Sequence, residues 1–234
     1  MPAPYAAGDT CHVRSVTPAT AAAVGVGGMC WQTRQARSQG MTDLSTQFLN
    51  ERRRYSAAAG GGVSLPVAGA VYWAGLAIAG LYMDPTQWAY MAAMFSGAIF
   101  PLGILLQGVF KSPFMKAKSP VSGVTTAAIV AINLLWPIHM IVIWTAPQAA
   151  PLTLAIGMAL HWPIIGWGYA SRVCMIHAIV RVAAVTAIFF GLPEISLVAI
   201  PVVVSGLYLL AAAGLSWESN RFRRMLAMPG QVPG

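Results

Sequence analysis

Between Gly62 and Trp217 apolar residues run in blocks of about twenty, each closed by a short polar or proline-containing break. That block length matches a membrane-spanning helix, because the hydrocarbon layer is about 30 Å thick and a helix rises about 1.5 Å per residue. The pattern predicts six spans. The first runs from about Gly62 to Tyr82 and ends at Asp84-Pro85-Thr86, an acid and a proline that together start a new helix. The second covers about Trp88 to Phe110, and the third about Ser122 to Trp144. Residues 119–171 carry no formal charge, too long a stretch for one helix, so a turn at Pro147 to Pro151 separates a fourth span from about Leu152 to Tyr169. The fifth runs from Val173 to Leu192, Pro193-Glu194 closes a tight hairpin, and the last covers about Ser196 to Trp217. Ahead of them, Met41 to Arg54 reads as a short polar helix with Phe48 and Leu49 toward the membrane surface.

The fold expected from this pattern is an all-α polytopic integral membrane protein. Its turns are so short that sequential spans must be neighbours, which gives three antiparallel hairpins. Four regions follow: an N-terminal extension over residues 1–40, disordered by composition or foreign to a protein starting at Met41; a juxtamembrane segment over 41–59; the six-helix domain over 60–217; and a basic tail over 218–234.

Charge sharpens the picture. Only 9% of residues are charged and 57% are hydrophobic, against about 25% charged in soluble domains. The net charge of +8 does not form a nucleic-acid patch, since its basic residues flank apolar blocks. Arg52 to Arg54, Lys111, Lys116, Lys118, Arg172, Arg221, Arg223 and Arg224 all fall at one end of the spans and none at the other. Positively charged short loops stay in the cytoplasm, so both termini are expected inside a bacterial cytoplasmic membrane. Tyr82, Trp88 and Trp144 fall at the outer boundary and Trp217 at the inner one, as interfacial anchors do. Cys11, Cys30 and Cys174 show neither a disulfide framework nor metal-ligand spacing.

Candidate chemistry is confined to polar groups inside the spans, where an Arg costs about 2.5–3.5 kcal/mol on insertion scales. Arg181 lies midway along the fifth span with His177 four residues before it, on the same helix face. Asn133 sits midway in the third span and His161 in the fourth, with His139 nearer the outer boundary. No acid lies within a span to neutralise Arg181. Pro101, Pro137 and Pro163 lack an amide proton and free the carbonyls of Gly97, Asn133 and Ala159. Two readings of Arg181 follow. It donates to those carbonyls and to Asn133 as a structural clasp, or it faces a cavity and takes an anionic or carbonyl-bearing ligand. Either way Arg181, His177, His161 and Asn133 are expected to point inward, where the third, fourth and fifth helices meet.

The histidines do not make a haem site, because axial ligands of one haem share a level and these lie at roughly 8, 14 and 21 Å below the outer boundary for His139, His161 and His177. A proton relay down that staircase is a further reading, ordinary interior histidines the plain one. The aromatic-proline pairs Phe100-Pro101, Trp136-Pro137 and Trp162-Pro163, with Ile200-Pro201, predict kinks in four spans. Gly69, Gly75, Gly206 and Gly214 would permit close helix contact. His-Glu-x-x-His, a phosphate-binding glycine-rich loop and Gly-x-Ser-x-Gly are all absent from the sequence.

Phe100-Pro101-Leu102, the Lys118-Ser119-Pro120-Val121-Ser122-Gly123 entry to the third span, and His161 with Gly166-Trp167-Gly168-Tyr169 resemble features of a family of small bacterial membrane proteins with six predicted helices and no established activity. The resemblance covers about Asn50 to Trp217 and implies an architecture but no chemistry. Its members start shortly before the first span, which favours Met41 as a start. The functional expectation is a small transporter-like protein, no enzyme and without cofactor, working in the lipid bilayer as a homodimer on an unidentified small molecule around Arg181. The alternative is a scaffold or accessory membrane protein whose polar core is structural.

Overall fold

The computed structural model describes residues 26–227, with side chains from residue 39 onward. Its described residues fall into two compact units divided after Gln47. Helix α1, Val26–Ala58, passes through that division. Up to Gln47 it is held by its own turns, with Ser45 Oγ donating to the Met41 carbonyl at 2.9 Å and Gln47 Nε2 to Asp43 at 3.0 Å. Of the extension expected to lack structure, residues 1–25 lie outside the described residues. Residues 26–40 are helical, in keeping with Met29, Gln32, Gln35 and Ala36, which favour helix more than Gly27, Gly28 and Gly40 oppose it.

The second unit, from Phe48, is a helical bundle made of the end of α1 and nine further helices: α2 (Ser64–Ala79), α3 (Pro85–Ser96), α4 (Ile99–Leu106), α5 (Ser122–Asn133), α6 (Trp136–Thr145), α7 (Ala150–Gly157), α8 (His161–Gly168), α9 (Arg172–Gly191) and α10 (Ser196–Ala227). Among the described residues, five segments are long and apolar enough to cross a membrane: Gly60–Ala79, Ser122–Thr145, Pro147–Gly168, Arg172–Gly191 and Pro193–Ala227. A sixth is the pair α3–α4, bent by 47°. Asp84 starts α3 as its sequence suggested, accepting from Thr86 N at 2.8 Å and Gln87 N at 3.0 Å with Pro85 in the first turn.

The prolines break three spans one turn ahead of themselves. The interruptions fall between Ser96 and Ile99, Asn133 and Trp136, and Gly157 and His161. The carbonyls that Pro101, Pro137 and Pro163 leave without a donor, at Gly97, Asn133 and Ala159, lie at those interruptions. Pro201 lies within a continuous α10, with no interruption beside it.

In lipid, helices associate through close packing and hydrogen bonds more than through the hydrophobic effect. The centre of the bundle is α2 against α10, with α9, α7 and α8 packed beside them. A Cβ at Gly69 would lie 3.0 Å from the Tyr208 ring, and one at Gly214 would lie 2.9 Å from Val173, so both glycines set helix spacing. Gly75 and Gly206 have nothing within 4 Å and play no such part. Ser205 Oγ donates to the Ala70 carbonyl at 2.9 Å, and Tyr72 Oη to that of Ala92 at 2.7 Å. Trp88 is no interfacial anchor: it is 0% exposed, with Nε1 donating to the Leu76 carbonyl at 2.9 Å. Tyr82, Trp144 and Trp217 are exposed as anchors would be.

At one end of the bundle, the segments that carry the ten basic residues are tied to one another. Arg52 Nε donates to the Trp167 carbonyl, with its guanidinium 4.7 Å from that indole. Ser119 Oγ donates to Glu51 at 2.8 Å, Ser112 Oγ to the Ala59 carbonyl at 3.0 Å, and Arg223 Nε to that of Ala57 at 3.0 Å. Ser171 caps α9 and donates to the Glu218 carboxylate, which also accepts from Arg172 N at 3.3 Å. Between α1 and α2, Gly60, Gly61 and Gly62 take φ values of 59°, 66° and 63° in succession, a left-handed turn that L side chains rarely adopt. This turn is buried.

Candidate functional site

The third span packs chiefly on α8 through α5 and is the least buried, with 17% of its apolar window inside the protein against 61% for the first. Beside α5 lies a cavity of about 730 Å³. Its outer wall is the α5 face carrying Ser122, Thr125, Ile129 and Asn133, a rise of about 16 Å. Leu65 and Phe100, from α2 and α4, face it. One end is bounded by Lys118, Tyr55 and the turn at Gly61 and Gly62, the other by Trp136 and His139.

The inner wall is formed in part by His161, Trp162 and Tyr208. Trp162 lies 5.7 Å from His161 and 4.4 Å from His177 between ring centres, and Tyr208 lies 5.7 Å from Trp162 and 5.2 Å from His177. Arg181 lies behind that wall. Its guanidinium carbon stands 4.7 Å from the Tyr208 ring centre and 5.4 Å from that of Trp73, and the residue is 0% exposed. It does not itself line the cavity.

This arrangement corrects the sequence reading of Arg181. The clasp on freed carbonyls does not form: Nε, Nη1 and Nη2 have no hydrogen-bond acceptor among the described residues. Asn133 Nδ2 donates to the Ile129 carbonyl at 2.8 Å, one turn back on its own helix. The covering groups are aromatic faces from the first and last spans, whose negative π surfaces attract a cation without accepting a conventional hydrogen bond. His177 and Arg181 share a buried face, as their spacing required, whereas Asn133 stands exposed on the cavity side of α5. His139 packs where α6 meets α7, and a Cβ at Gly157 would collide with its imidazole.

Buried side-chain nitrogens and oxygens without a partner occur, among the described residues, on Ser56, Ser64, Trp73, Thr125, His139, His161, Trp162, His177 and Arg181. Four of these nine residues, Thr125, His139, His161 and Trp162, line the cavity. Trp73, His177 and Arg181 form the layer behind it. Each unpaired buried group costs about 1–3 kcal/mol, so such a concentration calls for partners beyond the described side chains. Sequence reasoning found the histidines and Arg181 by their polarity. It missed Trp162, Tyr208 and Trp73, because aromatic residues in a span carry no signal of their own. No group of three His, Cys, Asp or Glu side chains is placed to hold a metal ion among the described residues.

Five to six apolar spans around a mid-bundle cavity define a multi-pass α-helical membrane protein. The chain belongs to a family of unknown function, DUF7010, whose model matches residues 48–218. That range covers the described bundle from the end of α1 to the last span. No curated protein and no solved structure matches the chain.

Proposed function

We propose that the protein is a binding and carrier protein for a small amphipathic molecule, housed in the cavity beside the third span. One observation carries this reading: a cavity of about 730 Å³, within the size range of small-molecule sites, is lined by four of the residues with unpaired buried polar groups, Thr125, His139, His161 and Trp162. The apolar walls suit a hydrocarbon body, and the His161–Trp162 wall supplies the hydrogen-bonding contrast that would orient it. The three interrupted spans give it mobile edges, since Gly97, Asn133 and Gly157 at the breaks all line the cavity. On this reading the protein moves or presents its ligand without chemically changing it, and a second copy completes an assembly otherwise small for a carrier.

The same reading puts the end that gathers the basic residues on the cytoplasmic side of a bacterial inner membrane, with both chain termini on that side. A polar core serving only as scaffold fits less well, since scaffolding groups would be expected to satisfy one another. The test is a thermal-stability ligand screen on purified protein beside Gly97→Leu. Gly97 lines the cavity and a Cβ there meets nothing within 4 Å, so a leucine has open space to grow into. Compounds that stabilise the wild type and not Gly97→Leu support the reading by mass action. Compounds acting equally on both, or none acting at all, refute it.

A further inference from the structure

The unpaired groups at the inner wall are unequal in what they can offer. Arg181 presents N–H donors from all three nitrogens and can accept nothing, and the indole nitrogens of Trp73 and Trp162 are also donors only. The His161 and His177 imidazoles can each donate from one nitrogen as neutral rings. Among the described residues no acid pairs with Arg181: Asp84 caps α3, Glu194 lies in the turn before α10, and Glu51 and the buried Glu218 are bound to Ser119 and Ser171 at the basic end. The wall thus has more donors than acceptors, its imidazoles offering one of each as neutral rings, and it carries one uncompensated positive charge.

Resting on the cavity reading above, we propose that the ligand is a singly charged amphiphilic anion, with an oxyanion head at the His161–Trp162 wall and an apolar tail along α5. Trp162 is itself a cavity wall residue, 5% exposed, and its buried N–H has no partner among the described residues. Arg181 sets the charge preference from behind Tyr208. In a medium of low polarity its attraction is screened far less than in water, so direct contact is not required. One cation matched to one anion leaves the site neutral, whereas a dianion would restore an unbalanced charge inside the membrane.

The full chain in phosphatidylcholine nanodiscs would be titrated with a fluorescent long-chain fatty acid, its methyl ester and the corresponding alkylamine, at a pH where the acid is ionised. The wild type should bind the acid at least about tenfold more tightly than the ester, the scale of one hydrogen bond to a charged group, and the amine least of all. Arg181→Gln should bind acid and ester alike, and Arg181→Lys should keep the preference. If Arg181→Gln does not fold, the three probes on the wild type still decide. Equal binding of acid and ester by the wild type overturns the charge assignment and leaves the cavity reading standing, whereas binding of none of the probes overturns both. Displacement of the acid when phosphatidylglycerol is added to the discs identifies a phospholipid as the source of the same oxyanion chemistry. Retention of the acid against that lipid supports a free carboxylate.

Discussion

The turn at Gly60 to Gly62 gives the most exact structural prediction. At Gly61 φ is 66°, a left-handed value that costs an alanine about 1–2 kcal/mol. A Cβ there would also stand 2.7 Å from the Leu215 carbonyl oxygen and 3.2 Å from its carbon, both backbone atoms of α10. Neither can swing aside as a flexible side chain would, so α1 and α2 must move away from α10. Overpacking of that kind costs about 1–3 kcal/mol. Gly61→Ala should therefore lose about 2–5 kcal/mol of stability, which SDS titration of the protein in mixed micelles can measure. Gly75→Ala is the matched control, inside α2 with nothing within 4 Å of the new methyl. It should be neutral or slightly stabilising, because alanine favours a helix over glycine by about 1 kcal/mol. A Gly61→Ala protein within about 0.5 kcal/mol of wild type would refute the assignment of a tight left-handed turn to this junction.

Gly214→Leu should weaken the α9–α10 contact by about 1–3 kcal/mol, because the added side chain meets Val173 at 2.9 Å; the same SDS titration reports it. Glu218→Gln removes the charge from the acceptor of Ser171 Oγ and Arg172 N and should cost about 1–3 kcal/mol, seen as earlier thermal unfolding in detergent. Trp88→Phe keeps most of the ring but strips the donor from the Leu76 carbonyl, and about 1 kcal/mol of destabilisation is expected. For orientation, single cysteines at Gln148 and Lys116, in a background without the native thiols, should behave oppositely toward an impermeant maleimide applied to intact cells. Gln148 should label and Lys116 should stay protected until lysis; the reverse result would invert the proposed topology.

The spans and their interruptions were legible because they depend on local composition. Twenty apolar residues need no partner to be recognised, and Pro101, Pro137 and Pro163 act on carbonyls four residues away. The shared face of His177 and Arg181 was legible for the same reason, as helix geometry fixes it. What depends on distant chain was not. Trp88 has the sequence position of an interfacial anchor, and only the Leu76 carbonyl, met through a helix crossing, turns its indole inward. Arg181 finds aromatic faces from α2 and α10 in place of the expected carbonyls. The cavity arises because α5 packs on α8 and leaves its other side open, and hydropathy carries no trace of that choice. Pro201 is carried within a continuous α10 while Pro101, Pro137 and Pro163 sit beside interruptions, a difference that residue type alone does not give.

The aromatic cover over Arg181 bears on how the chain is made. Trp73 is synthesised well before Arg181, but Tyr208 comes from α10, which is made after it. A fifth span released alone into lipid would hold its guanidinium with half its shelter, at an insertion cost of about 2.5–3.5 kcal/mol. The turn between α9 and α10 is only a few residues long, so the two helices can enter the bilayer together as a hairpin and bring Tyr208 to the charge during insertion. A nascent chain truncated after Gly191 should accordingly stall at the insertion machinery or be degraded, and one extended through Trp217 should integrate.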